Sequence, residues 1–197
     1  MPIPRSVHII RQVLHALMEA HSRGIVHRDI KPDNVMLISL AYDPDYVKVM
    51  DFGIAKMADA GEQITRAGIT LGTPRYMPVE QLKGERLTPA TDLYAVGLVL
   101  YEMLLAKPAF DGDSAVDIAL TVMRGQSLKV PDDANLPPEL AALIEKASAR
   151  EPSDRFECRR QGIPSRDRED CHLLLRRFLG AGATDRARRA CRRFCLR

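Results

Sequence analysis

The feature that most constrains how this 197-residue sequence can fold is a pair of short strand-like runs, the apolar residues 35–38 and the alternating residues 47–50. The first follows His27-Arg28-Asp29-Ile30-Lys31-Pro32-Asp33-Asn34, and the second leads into Asp51-Phe52-Gly53. Between them lies Ala41-Tyr42-Asp43-Pro44-Asp45, whose Asp and Pro favour a turn, so the two runs are expected to pair as an antiparallel hairpin. Such a hairpin brings two carboxylates, Asp29 and Asp51, and the amide of Asn34 to one cleft. Phosphoryl transfer needs a set of this kind: a carboxylate for the attacking hydroxyl, a cation on the moving phosphate and oxygen ligands for Mg²⁺.

The two segments resemble the protein-kinase signature H-R-D-L-x-x-x-N followed by D-F-G, and the chain resembles the bacterial-type (Hanks-type) serine/threonine protein kinases. The resemblance implies Asp29 as catalytic base, Lys31 as the contact to the transferred phosphate of ATP, and Asn34 with Asp51 as the Mg²⁺ ligands. It also implies Met36 as the floor of the adenine pocket. His27 would pack on Phe52 and tie the catalytic loop to the metal loop, a structural role. The implied fold is mainly α (α+β): a kinase large lobe, helical, with the hairpin at the catalytic loop.

Upstream, Val7, Ile10, Val13, Leu14, Leu17 and Met18 recur at helical spacing, which predicts an amphipathic helix ending near Gly24. His8, His15 and His21 lie on or beside it without an acidic or cysteine partner at ligand spacing, and read as solvated or packing residues. Downstream, residues 54–87 lack periodicity, as an activation segment would. Within it, Gly72-Thr73-Pro74-Arg75-Tyr76-Met77 resembles the substrate-docking end of serine/threonine kinases, with Gly72 and Thr73 in the substrate loop. Thr65 and Thr70 are candidate phosphorylation sites for which Arg28 would supply the counter-charge. Where the family ends this segment with Ala-Pro-Glu, this chain reads Pro78-Val79-Glu80.

Thr88-Pro89 is a helix start, and residues 90–106 are apolar on nearly every face, which predicts a buried helix. Asp92 near its start has two readings: an anchor for catalytic-loop amides, as the resemblance implies, or a carboxylate stabilised by the helix dipole. Ser114 caps a helix that Gly125 closes, and Pro138 opens one running to about residue 149. Arg155 then stands where the family's last motif pairs an arginine with Glu80. The resemblance covers residues 7–156, and we expect residues 1–156 to form the large-lobe segment.

Beyond that point residue usage changes. Residues 157–197 hold twelve arginines against five acids, +7, leaving −4 for residues 1–156 of a total of +3. All four cysteines fall there, without the paired spacing of a zinc site. Ala187, Ala190, Cys191, Phe194 and Cys195 share one helical face among arginines, but with one large aromatic the tail is a poor candidate for nucleic-acid or membrane binding. This Arg/Cys-rich tail is expected to lie outside the kinase fold and to reflect a frame change or a join. No run is long enough to span a membrane, which points to a cytoplasmic location. The 197 residues contain no G-x-G-x-x-G and no V-A-I-K lysine, so the small β-rich lobe is expected to be absent. The chain then reads as a serine/threonine kinase fragment acting on protein Ser/Thr hydroxyls only when a small lobe, supplied for instance in trans, completes it. The alternatives are a catalytically inactive pseudokinase serving as a binding module, or a truncated gene product.

Overall fold

The computed structural model describes residues 1–52, 74–125 and 127–155. Five α-helices, four short 3-10 turns and one two-stranded sheet make up the regular structure of these residues.

Helix α1 spans Ile3–Ser22, opening with Pro4 in its first turn, where a missing N–H costs nothing. Its buried stripe is Ser6, Ile9, Ile10, Val13, Leu17, Ala20 and His21, at three- and four-residue steps; of the expected residues Ile10, Val13 and Leu17 are in it, whereas Val7, Leu14 and Met18 are only half-buried because the stripe is turned towards Ile9 and Ala20. Gly24 ends it at φ 78°, a left-handed conformation open to glycine at low cost, and the Ile25 amide donates back to the Ala20 carbonyl at 3.0 Å. The chain therefore leaves α1 already turned towards the loop that begins at His27.

Strands β1 (Val35–Leu40) and β2 (Asp43–Val49) form the expected antiparallel hairpin. The turn is tighter than the sequence suggests. β2 begins at Asp43, so only Ala41 and Tyr42 connect the strands, and Pro44 lies inside β2 opposite the irregularity between Ile38 and Leu40. A two-stranded sheet has only edge strands, so a residue without an N–H is tolerated there. Side chains of α1 lie along the outer side of β2. The Gln12 amide donates to the Asp45 carbonyl at 2.9 Å and accepts from the Val47 N–H at 3.0 Å. Arg5 makes a bidentate pair with Asp45, at 2.9 and 2.8 Å, which holds that carboxyl below its usual range. His8 Nε2 stands 3.0 Å from both Asp43 oxygens. His8 therefore has an acidic partner that spacing along the chain does not reveal.

Among the described residues of the stretch without periodicity, 74–87, a 3-10 turn at Pro74–Tyr76 is followed by a short helix, α2 (Val79–Leu82). Helix α3 (Pro89–Leu105) is the centre of the fold. Thr88 and Thr91 cap its start reciprocally, and Ala106 closes it at φ 55°. Eleven of its residues are buried, which is why its apolar positions show no helical stripe. Helices α1 and α5 (Pro138–Ala147) pack on α3. The approach of α5 is close enough that a Cβ at Gly97 would stand 2.9 Å from the Ala147 Cβ. Helix α4 (Ala115–Met123) is capped by Ser114, whose hydroxyl accepts from the Asp117 N–H at 3.1 Å.

Candidate active site

The loop from His27 to Asn34 runs from the end of α1 to the start of β1, and its backbone is held mainly by Asp92. That carboxylate, 1% exposed on the first turn of α3, accepts the His27 N–H at Oδ2 and the Arg28 N–H at Oδ1, both at 2.8 Å. It also accepts from His21 Nε2 at 2.7 Å. Asp92 stands in the first turn of α3 and receives the loop amides from there. Three donors offset the cost of burying the charge. Arg28 takes a left-handed backbone, φ 69°, and its carbonyl accepts from Gln81 Nε2 at 2.8 Å. A non-glycine residue in that region costs energy and persists where its surroundings over-determine it, as these contacts do.

Asp29, Lys31 and Asn34 are brought together. Lys31 Nζ lies 3.2 Å from Asp29 Oδ2. Asn34, buried, donates from Nδ2 to the Asp29 carbonyl at 2.7 Å and to Asp29 Oδ2 at 3.2 Å. With its nitrogen engaged on Asp29, the Asn34 side chain has its oxygen left to face another partner. The Pro32–Asn34 turn sets this spacing, since Pro32 starts a 3-10 turn that folds Asn34 back over Asp29.

Asp51 enters from the other strand. The Met50 N–H donates to the Asn34 carbonyl at 2.9 Å, so Asp51 stands one residue beyond a backbone pair with Asn34. Its backbone is left-handed, φ 55°, and the residue is exposed. His27 joins the two segments. The ring is fully buried, donates from Nε2 to the Met50 carbonyl at 2.9 Å, accepts the Asp29 N–H at Nδ1 at 3.3 Å, and lies 4.5 Å from the Phe52 ring. One ring nitrogen donates and the other accepts, which fixes the tautomer. Met36 sits on β1 opposite Lys48 with 44% of its surface exposed. Thr65, Thr70, Gly72 and Thr73 lie outside the described residues.

A small cleft beside the loop is lined by Arg28, Asp29, Lys31, Tyr76, Met77 and Gln81, and at its base by Thr91, Asp92 and Ala95 of α3. Tyr76 is fixed at its edge by donating to Glu102 at 2.5 Å, and burial together with that carboxylate raises the phenol's pKa. Behind the cleft, Glu80 and Arg155 form a buried bidentate pair at 2.5 and 3.1 Å, and Thr91 donates to Glu80 at 3.2 Å. The sequence alone does not disclose His21, Gln81 or the Tyr76–Glu102 contact. All three act across large separations along the chain, and only the burial of His21 on the inner face of α1 could have hinted at a partner.

An anchored loop thus holds a carboxylate, a lysine and an amide, rests on a buried helix and is joined to a hairpin that leads into Asp51. The chain belongs to the protein kinase domain family, whose model matches residues 3–161. It is 44% identical over 157 residues to the serine/threonine-protein kinase pkn3 of Myxococcus xanthus, covering 77% of this chain and 29% of that protein. It is 40% identical over 154 residues to Pkn1 of the same organism, with 76% and 22% covered. The serine/threonine-protein kinase PknB of Mycolicibacterium smegmatis is 40% identical over 157 residues, with 78% and 24% covered. The chain thus spans less than a third of the length of these relatives. Among the described residues no helix is long and apolar enough to cross a membrane.

Proposed function

We propose that this chain carries the large-lobe half of a serine/threonine phosphoryl-transfer site, acting on protein Ser or Thr hydroxyls with ATP and Mg²⁺ as the protein kinase family does generally. The observation that carries the reading is the Asp29 carboxylate, held within 3.2 Å of both Lys31 Nζ and Asn34 Nδ2 on a loop anchored by Asp92. In that reading Asp29 orients the substrate hydroxyl and takes its proton, and Lys31 meets the transferred phosphate. Asn34 and Asp51 supply oxygen ligands of the kind a hard divalent cation takes, and when bound the cation neutralises charge on the phosphates. Met36 floors the adenine site. Arg28 would meet a phosphate on Thr65 or Thr70, and Gly72 with Thr73 would shape the substrate loop.

The test starts from metal-dependent nucleotide binding by the 197-residue chain, read with Mn²⁺ as a paramagnetic stand-in for Mg²⁺. Weak Mn²⁺-ADP binding that disappears in Asp51→Asn supports the reading. Binding that persists unchanged in that variant removes Asp51 from the site. With a nucleotide-covering lobe supplied, Asp29→Asn should lower phosphoryl transfer by about 10²–10⁴-fold, the usual worth of a general base. Unchanged turnover would refute the assignment.

A further inference from the structure

We infer that Gln81 is a positioning residue for this site: from α2 its side-chain amide holds the peptide that joins Arg28 to Asp29, and with it the orientation of the Asp29 carboxylate. That peptide is gripped at both ends. Its carbonyl, on Arg28, accepts from Gln81 Nε2 at 2.8 Å. Its N–H, on Asp29, is donated to His27 Nδ1 at 3.3 Å, the longer and weaker of the two bonds. Arg28 itself stands at φ 69°, a backbone conformation that a non-glycine residue leaves when its restraints are removed.

The mount of Gln81 is rigid. Beside it in α2, the buried Glu80 carboxylate is paired with Arg155 and accepts from Thr91 at 3.2 Å, while the Glu80 carbonyl accepts the Glu85 N–H at 2.8 Å. Gln81 is half-buried and lines the small cleft together with Asp29, Lys31, Tyr76 and Met77. Its hydrogen bond spans 53 positions and ties the segment carrying Tyr76 and Met77 to the backbone of the loop that carries Asp29. Without the Gln81 amide, the Arg28 carbonyl loses its donor and turns towards water, and the long bond to His27 is too weak to hold the peptide by itself. The Asp29 side chain turns with its backbone, and a displacement of about 1 Å at a reacting group is worth about 10²-fold in rate. The inference rests on the proposed kinase function for what Asp29 does, but the restraint on the peptide stands without it.

Two substitutions separate the donor from its bulk. Gln81→Met keeps the length of the side chain and removes the N–H, whereas Gln81→Glu keeps the shape and sets a carboxylate oxygen against the Arg28 carbonyl. Hydrogen exchange of the 197-residue chain is read amide by amide. In Gln81→Met the Asp29 amide should exchange about 10-fold faster or more, while the Arg28 amide, which belongs to the preceding peptide and stays on Asp92, remains within about three-fold of wild type. In Gln81→Glu the acceleration at Asp29 should exceed that of the Met variant. A side chain that only fills space gives the reverse ranking, because Glu matches the shape of Gln more closely than Met does. Unchanged exchange at Asp29 in the Met variant, a Glu variant slower than the Met variant, or equal acceleration throughout α2 and α3 would overturn the inference. If Gln81→Met does not fold, Gln81→Asn, whose amide stops one bond short of Arg28, takes its place with the same expected pattern.

Turnover gives the second readout. With a nucleotide-covering lobe supplied, kcat should fall about 10-fold or more in the Met variant with the KM for ATP within about two-fold, since the groups proposed to meet the nucleotide are left in place. Unchanged kcat, or a change confined to KM, in a variant whose Asp29 amide does exchange faster would overturn the link to the Asp29 carboxylate. If the wild-type chain with that lobe is inactive, the kinase reading of the site fails, while the exchange pattern still decides what Gln81 does to the peptide.

Discussion

Every N–H of the Arg155 guanidinium has a direction to go. Nε donates to the Ala149 carbonyl, Nη1 to Glu80 and the Ala90 carbonyl, and Nη2 to Glu80 and the Arg150 carbonyl, with the guanidinium carbon 4.7 Å from the centre of the Tyr94 ring. Lysine cannot reproduce this fork, so Arg155→Lys should destabilise nearly as much as Arg155→Met. Removing Arg155 leaves Glu80 charged and buried, which should cost about 3–5 kcal/mol in urea unfolding. The double variant Glu80→Gln/Arg155→Met should lose clearly less than the sum of its parts, because no uncompensated charge remains. Additive losses would mean that the two residues stabilise through packing alone. Glu80 and Arg155 are 75 positions apart, and only resemblance to a family pairs them at the sequence level. Composition and spacing contain nothing that would. His21 shows the same limit from the other side: a histidine on an apolar stripe looks like a packing residue until its partner, 71 positions away, is known.

Local periodicity carries more at the scale of elements. The buried stripe of α1, the all-round apolar α3, the Ser114 cap and the hairpin are each written within about twenty consecutive residues, and the structure contains them. The turn between the strands is shorter than its Asp and Pro suggest, because the free side of a two-stranded sheet accommodates Pro44. The polar fastening of β2 onto α1 leaves no trace in the sequence, since Arg5, His8 and Gln12 look like a solvated face until the hairpin folds against them. That fastening is sensitive to pH. The Asp45 carboxyl is held below its ordinary range chiefly by its hydrogen bonds with Arg5, so its contribution is complete above about pH 4 and declines as pH falls through the depressed value. Asp45→Asn should therefore narrow its stability gap to wild type on acidification; a gap that widens towards low pH would contradict that origin. At the α3–α5 contact, helix propensity alone favours Gly97→Ala by about 1 kcal/mol. The 2.9 Å approach to Ala147 Cβ argues the opposite sign. Overpacking of this kind costs about 1–3 kcal/mol, so thermal unfolding of Gly97→Ala should show a lowered midpoint. A raised midpoint would mean that α5 gives way without cost.

For the molecule as a whole, the proposed site would meet a nucleotide from one side. Lys31, Asn34 and Asp51 would act from that side, and among these 197 residues there is no glycine-rich loop or V-A-I-K lysine to act from the other. Positioning and charge neutralisation provide nearly all of phosphoryl transfer, and both weaken in an open, wet groove. Purified chain with labelled ATP, Mg²⁺ and a generic serine/threonine substrate should therefore give negligible incorporation; robust incorporation lost in Asp29→Asn would show that one side suffices. Gln12 has a further consequence at this scale. By donating to the Asp45 carbonyl and accepting from the Val47 N–H, its side chain does for β2 what a neighbouring strand would do. An exposed strand with such groups unmet is a template for another copy of the same strand. Gln12→Val should leave the monomer folded yet prone to concentration-dependent association through the hairpin, visible as rising light scattering; scattering that stays flat would mean that the amide of Gln12 does not guard this strand.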